Sequence, residues 1–361
     1  MNIGFFTDSY FPQVNGVTYT VDAWRKELEK RGHMVYIYYP KADYTPGERE
    51  HEFGSIDFKS YPGYKIAFPV RICDKTRHLD LVHAHTPFGL GIAGLRAARA
   101  HKLPRMFTFH TPGDEYISYI TKNPVLKPLL TSISLRWDRF FFNQFTRITT
   151  ASPVIKEKLE DNRIGNVELL SNGLDLSLFH RVDPRGFREK HGIADGRVIG
   201  FCGRLGYEKH VEDLISAADR FDGTVLIAGK GPAEDHYRKL SEGRDNVKML
   251  GFLRRDTLKE FYSALDVFVF PSFAETQGLV AVESMACGTP VVGVPVLALK
   301  TTIEDGKTGY HYKAGDIDDL LEKVERAYEN RKVLVKGCLE EAGRHSVDRV
   351  VDRLEGIYGS L

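Results

Sequence analysis

Cysteine is scarce in this chain of 361 residues: only Cys73, Cys202, Cys287 and Cys338 occur, with no C-x-x-C pair and no histidine at metal-ligand spacing from any of them. That pattern excludes a disulfide framework and a zinc knot, so the thiols read as reduced and mostly buried. Neither sign of charge is in excess, with 50 basic against 49 acidic residues. No global field would steer the chain to nucleic acid, and any attraction to a surface must be local. Long apolar runs are missing too, none approaching the ~20 residues that span a bilayer. The chain opens directly on an apolar strand pattern, Asn2 to Phe6, without a basic leader or a small-residue cleavage site. The expectation is a cytoplasmic protein that could still lie peripherally on the cytoplasmic face of a membrane.

What is present is length and alternation. A chain of 361 residues exceeds what one core usually supports, and roughly 150 residues per domain gives two units. Short apolar runs at 3–6, 35–39, 81–84, 106–109, 148–150 and 167–170 read as strands, with helical segments such as 17–30 and 89–100 between them. Runs at 198–202, 225–228, 247–250, 267–270 and 291–294 repeat the pattern. Strands alternating with helices predict parallel sheets covered on both faces, hence an α/β chain of two doubly wound, Rossmann-like domains. Turn chemistry at Ser171, Asn172, Gly173 and Asp175 places the boundary: 1–177, then 178–345. The last helical stretch, 346–361, has no strand to return to and is expected to pack back on the first domain. Ligands of such sheets bind at the carboxyl ends of the strands, which predicts a cleft between the two domains.

Four loops that follow strands carry unusual glycine and charge. The first, 8–17, ends with Asn15 and Gly16 at a helix start, where a phosphate could approach the backbone. In the second, Gly203 and Arg204 precede Lys209: a planar fork and a point charge at the next helix start, suited to a diphosphate whose charge grows as it leaves. The third, Gly229, Lys230 and Gly231, resembles half a dinucleotide fingerprint but lacks its third glycine and distant acid, which disfavours a nicotinamide site. The fourth places Glu275 and Glu283 eight residues apart across a loop-to-helix junction, with Gly278 and Leu279 at the turn. One carboxylate can accept from a hexose, the other from a ribose, while the helix start faces a phosphate. Two solvated glutamates beside a buried strand would give the same spacing. In the first domain His110 follows a strand and could bond a sugar hydroxyl; His83 and His85 read as a strand end, since no carboxylate or cysteine completes a metal set. A glycosidase would need its two carboxyl groups about 5 Å apart and has no use for a cation pair with glycine turns.

Together the Glu-x7-Glu segment, the Gly203-Arg204-Leu205 loop with Lys209, the Asn15-Gly16-Val17 turn and His110 resemble the retaining GT-B glycosyltransferases of family 4, over nearly the whole chain. Within that family the opening, residues 5–17, the stretch from Phe109 and His110 through Tyr116 and Tyr119, and residues 275–279 are most similar to diacylglycerol glucosyltransferases. The resemblance implies that Arg204 and Lys209 hold the donor diphosphate, Glu275 the hexose and Glu283 the ribose, with Gly16 on the phosphate side. It puts the base near Lys230, Leu253 and Arg254. The catalytic set it implies is His110, Arg204, Lys209 and Glu275; Gly203, Gly229, Gly278 and Leu279 complete the donor site. It also implies substitution with retention, the departing diphosphate taking the acceptor's proton, so that no protein nucleophile, cofactor or metal is expected. Two departures stand out: His210 follows Lys209 where the family usually has glycine, and residues 111–116 differ from the pattern common in the lipid enzymes.

The expected activity is transfer of a hexose, glucose from UDP-glucose, to a membrane lipid hydroxyl such as diacylglycerol, giving an α-glycoside. The alternatives are a glucosyl or mannosyl transferase acting on a phosphoinositide, a soluble sugar phosphate or a glycan; a sugar-nucleotide epimerase; and a silent nucleotide-sugar binding protein. Two segments mix cations with aromatics, 59–71 and 128–147. In the second, Leu130, Ile133, Trp137, Phe140 or Phe141, and Phe145 recur at helical spacing beside Lys127, Arg136, Arg139 and Arg147, a combination that suits either an interfacial helix or a buried one.

Overall fold

The computed structural model describes residues 1–13, 15–57, 65–110, 126–273, 275 and 277–361; the Lys127 side chain lies outside that description. The chain divides into two compact units, Met1–Gly173 with Val347–Leu361, and Leu174–Ser346. Residues 111–125, with Tyr116 and Tyr119, and the 59–64 part of the cationic segment 59–71 lie outside the described residues.

In the first unit, β1 (Asn2–Phe6), β2 (Met34–Pro40), β3 (Glu50–Phe53), β6 (Leu81–Ala84), β7 (Arg105–Phe109), β8 (Arg147–Thr150) and β9 (Val167–Leu169) form one sheet in the order β3-β2-β1-β6-β7-β8-β9. Every pairing in it is parallel. β4 (Ser55–Asp57) and β5 (Lys65–Ala67) pair as a separate antiparallel ribbon. A parallel sheet is buried on both faces, and the period of two sends alternate side chains to opposite cores. Ile3 and Phe5 accordingly pack with Trp24 and Leu28, while Phe6 packs with Phe107 and Phe141.

The closing helix Val347–Gly359 belongs to this unit. Val350, Val351, Leu354, Ile357 and Tyr358 recur at helical spacing and are buried in the core around Trp24. Each such side chain is worth roughly 1.5–3 kcal/mol on burial. Arg31 adds a fork onto the same helix, reaching Asp348 at 2.5 Å, Asp352 at 2.5 Å and Glu355 at 2.7 Å.

The second unit has six parallel strands: β10 (Val198–Cys202), β11 (Thr224–Ala228), β12 (Val247–Gly251), β13 (Val267–Phe270), β14 (Val291–Gly293) and β15 (Gly309–His311), ordered β12-β11-β10-β13-β14-β15. In both sheets the chain runs outward from a central strand and then reverses. The reversal falls between β1 and β6 in one and between β10 and β13 in the other. Crevices open at the carboxyl ends of strands flanking such a switch point.

Three readings need correction. β3, the β4–β5 ribbon and β15 have no counterpart among the strands read from apolar runs. β3 reads Glu-His-Glu-Phe, and its Glu50 is tolerated because Arg25, Tyr10 and the Gly47 N–H all bond its carboxylate. The cationic segment 128–147 is not one helix: the helix is Leu126–Phe142, and Arg147 opens β8. Lys209 does not begin a helix but ends a 3-10 turn, Tyr207–Lys209, before the helix Glu212–Ala217.

Candidate functional site

In the second unit the loops that leave β10 and β13 meet. Lys209, from the first, places its Nζ 2.6 Å from Glu275 Oε1 and 3.3 Å from Ser272 Oγ, both on the loop leaving β13. The two charged side chains are only 13% and 14% exposed. The Phe273 N–H also bonds the Glu208 carbonyl at 3.0 Å, so the loops are fixed by backbone as well as charge. A cation and a carboxylate held together at a switch point can serve a ligand that brings its own anion and hydroxyls.

Two glycines shape the floor. Gly229 has φ +135°, and a Cβ there would lie 1.8 Å from the Gly203 carbonyl oxygen, so the turns after β10 and β11 touch backbone to backbone. Gly203 N–H bonds Ala228 O at 3.1 Å, and Leu205 N–H bonds Lys230 O at 3.0 Å, which carries the strand pairing past the sheet edge. Gly278 stands in the left-handed region, φ +71° and ψ 43°, at the cap of the helix Leu279–Ala286. The first N–H groups of that helix, Leu279 and Val280, have no earlier turn to bond. Arg204 and Lys230 are exposed beside these turns.

Glu283 has a different partner from Glu275. It is buried one turn into the helix, and its Oε2 accepts from the Tyr262 hydroxyl at 2.8 Å. Burial raises its pKa to about 6, with Arg255 and the Tyr262 hydrogen bond pulling it down. Leu253 and Arg254 follow β12 at the sheet's edge; Arg254 is exposed and pairs with Asp256 at 3.1 Å. His210 takes the left-handed conformation, φ 46° and ψ 41°. Glycine suits such a position, which fits the resemblance from which His210 departs. The substitution leaves the turn intact, with the His210 ring 4.4 Å from that of Phe273.

In the first unit the strand ends at the switch point carry a second polar cluster. Asp8, just past β1, is buried, accepts from Thr86 Oγ1 at 2.5 Å and caps the helix Gly89–His101 through Leu90 N at 3.0 Å. Burial pushes its carboxyl up to about 6. His110, after β7, lies with its Nε2 3.1 Å from His85 Nδ1, and desolvation lowers its pKa to about 4, so the ring is neutral at ordinary pH. His83 is a structural residue: it bonds Tyr358 of the closing helix at 2.8 Å and Thr108 at 2.7 Å. Gly16 is exposed at the start of the helix Gly16–Lys30, capped by Asn15, whose side chain accepts from Thr18 N. A Cβ on Gly16 would meet no described atom within 4 Å.

The structure therefore joins Lys209 to Glu275, sets Gly203, Gly229, Gly278 and Leu279 around the ends of β10, β11 and β13, and puts Leu253 and Arg254 further along the same edge. Gly16 and His110 belong to the other unit. Sequence reading missed Ser272, Tyr262 and Asp8, and it placed His85 at a strand end without its contact to His110. Asp8 could have been marked as a polar residue just past a strand next to that of His85; Tyr262 sits in a helix pattern that gives no such sign. Among the described residues there is no cluster of three or more potential metal ligands.

Comparison with known proteins agrees with this geometry. The profile for "Glycosyltransferase Family 4" matches residues 14–178 and that for "Glycosyl transferases group 1" matches residues 185–342. An alpha-monoglucosyldiacylglycerol synthase of Streptococcus pneumoniae is 30% identical over 339 residues, covering 86% of this chain and 75% of that protein. One from Acholeplasma laidlawii is 27% identical over 361 residues, covering 92% and 90%. The Anabaena protein HepE, solved in complex with UDP and glucose, superposes with a TM-score of 0.78 at 19% identity over 100% of both chains, a likeness of fold.

Proposed function

This chain belongs to glycosyltransferase family 4 and is a hexosyltransferase, and from that premise we propose that it moves glucose from UDP-glucose to the free hydroxyl of a membrane diacylglycerol with retention of the α configuration. The observation that carries the donor half is the Lys209–Glu275 pair at the switch point of the second sheet. Lys209 and Arg204 take the diphosphate, Glu275 bonds the hexose, and Glu283 bonds the ribose. Gly203, Gly229, Gly278 and Leu279 let the phosphates lie against backbone N–H groups. Lys230, Leu253 and Arg254 flank the base. HepE's complexes with UDP support a uridine nucleotide as donor.

Catalysis in this reading is charge stabilisation of a leaving group. As the bond to the anomeric carbon breaks, negative charge grows on the diphosphate, and fixed cations in a partly dry site lower that barrier. The diphosphate then takes the proton of the incoming hydroxyl on the same face. His110, neutral and held by His85, offers the hexose a hydrogen bond without introducing a competing charge. Neither a protein nucleophile nor a metal is part of the scheme.

The lipid acceptor rests on the two diacylglycerol glycosyltransferases among the relatives and on one helix. Leu126, Leu129, Ile133, Trp137 and Phe140 lie exposed on Leu126–Phe142, while Phe141 and Phe142 are buried beneath. Arg136 and Arg139 are exposed beside them. Aromatics and cations together suit an anionic membrane surface. No helix among the described residues is long and apolar enough to cross a membrane. The test is a panel of radiolabelled sugar nucleotides offered with diacylglycerol in vesicles. Labelled α-glucosyldiacylglycerol from UDP-glucose is the expected product; transfer only to soluble acceptors, or a β product, would overturn the proposal.

A further inference from the structure

Tyr262 lies outside every motif that carried the functional reading, yet its hydroxyl donates a hydrogen bond to Glu283. The tyrosine is fully buried on the helix Leu258–Ala264. Its ring packs edge-on to Phe268 at 5.6 Å and to Phe261 at 5.5 Å, and its carbonyl accepts from Thr289 Oγ1 at 2.8 Å. A ring so enclosed cannot swing, and a buried phenol hydroxyl needs an acceptor. It finds Glu283 Oε2 at 2.8 Å. The other oxygen, Oε1, has no hydrogen bond from any described residue, and Glu283 keeps 8% of its surface open.

We propose that Tyr262 is a positioning residue of the donor site: its hydroxyl fixes Oε2 of Glu283 and leaves Oε1 to the ribose hydroxyls of the sugar nucleotide. The role rests on the reading of Glu283 as the ribose ligand. An ionised carboxylate with one oxygen pinned presents the lone pairs of the other in a single direction, so no reorientation is needed when the nucleotide arrives.

The surroundings make this role readable by pH. The groups acting on Glu283 are Tyr262, Arg255 from the turn Arg255–Thr257, Cys202 at the end of β10 and Cys287 after its own helix. Both thiols are pushed up to about 12 by burial, and the Tyr262 phenol is raised well above its ordinary value. Between pH 5 and 8.5 these three stay neutral, and Glu283, at about 6, titrates within that range. Hydroxyl donors bond the ionised form more strongly than the neutral one. Affinity should therefore fall as pH drops through about 6, by about tenfold between pH 8 and pH 5. Losing one hydrogen bond to a carboxylate raises its titration by about one to two pH units.

The experiment is calorimetric titration of the full chain with UDP-glucose and with GDP-mannose, whose diphosphates carry no proton in this range, at pH 5 to 8.5. With the donor that binds, Tyr262→Phe should shift the acid limb upward by one to two units. Its affinity should be about two- to tenfold weaker at pH 7 and within about twofold of wild type at pH 8.5. Glu283→Gln should bind weakly with no acid limb. An unshifted limb in Tyr262→Phe, or a loss equal at every pH, would overturn the positioning role and leave the donor reading standing. No binding of either compound at any pH would remove the donor reading and this role with it. Should Tyr262→Phe fail to fold, 3-fluorotyrosine at position 262 keeps the shape and donates more strongly: the limb then moves to lower pH, and a limb that stays put refutes the role.

Discussion

Replacing Lys209 with alanine separates a structural ion pair from a catalytic one. At 2.6 Å and an effective dielectric near 20, the attraction between Lys209 and Glu275 is about 6 kcal/mol before desolvation is subtracted. Both side chains keep some contact with water, at 13% and 14% exposure, so most of that is offset and removal of one partner should cost about 1–3 kcal/mol of stability. If structure were the whole role, Lys209→Met with Glu275→Gln would recover both stability and turnover. If Lys209 stabilises the leaving diphosphate, turnover should fall by on the order of 10²–10³, about 2.7–4 kcal/mol, and the double variant should recover stability alone. The assay is initial-rate transfer to diacylglycerol vesicles at saturating donor, beside urea denaturation of the same preparations. Unchanged turnover in Lys209→Ala, or turnover restored in the double variant, would refute the leaving-group assignment.

Three further outcomes follow from other parts of the molecule. Glu283 is raised from 4.5 to about 6, so the native state holds its proton more tightly than the unfolded chain and its contribution to stability falls as pH rises through that interval. Glu283→Gln should therefore gain up to about 2 kcal/mol on wild type between pH 4.5 and pH 7 in urea titrations, and parallel profiles would contradict the assignment. Gly229→Ala forces a Cβ to within 1.8 Å of the Gly203 carbonyl at φ +135° and should destabilise by about 3 kcal/mol or more, visible as a lowered melting temperature of the second unit; an unchanged melt would mean the two turns are not in contact. Ile133→Asp with Phe140→Asp changes two exposed side chains and should leave the melting temperature within a degree or two while abolishing co-sedimentation with anionic vesicles. Equal recovery with the membrane pellet would place membrane contact elsewhere.

The alternation of apolar runs with amphipathic segments is enough to read two parallel sheets, because strands buried on both faces announce themselves, as Val267–Phe270 does. β3 escaped because its stability comes from an ion pair and hydrogen bonds on Glu50, and β15 because a three-residue strand at a sheet edge has too few positions to show a pattern. In the site, Glu275, Gly278 and Lys209 were legible from local turn and charge chemistry. Their meeting was not, since it depends on β10 and β13 being neighbours although β11 and β12 separate them in sequence. Tyr262 was illegible for the same reason: its position opposite Glu283 is set by how two helices pack, while its own sequence neighbourhood reads as an ordinary buried face. The stripe read over 128–147 resolved only with the structure, which ends the helix at Phe142, buries Phe141 and Phe145 and exposes Phe140.

The central claim is that cationic side chains of the second unit grip the diphosphate of a sugar nucleotide. A crystal structure of the chain soaked with UDP-glucose examines it most directly. Diphosphate oxygens within hydrogen-bond reach of Lys209 and Arg204, with the ribose on Glu283, are the expected result. Well-ordered nucleotide bound away from the ends of β10 and β13, with the Lys209–Glu275 pair undisturbed, would contradict it.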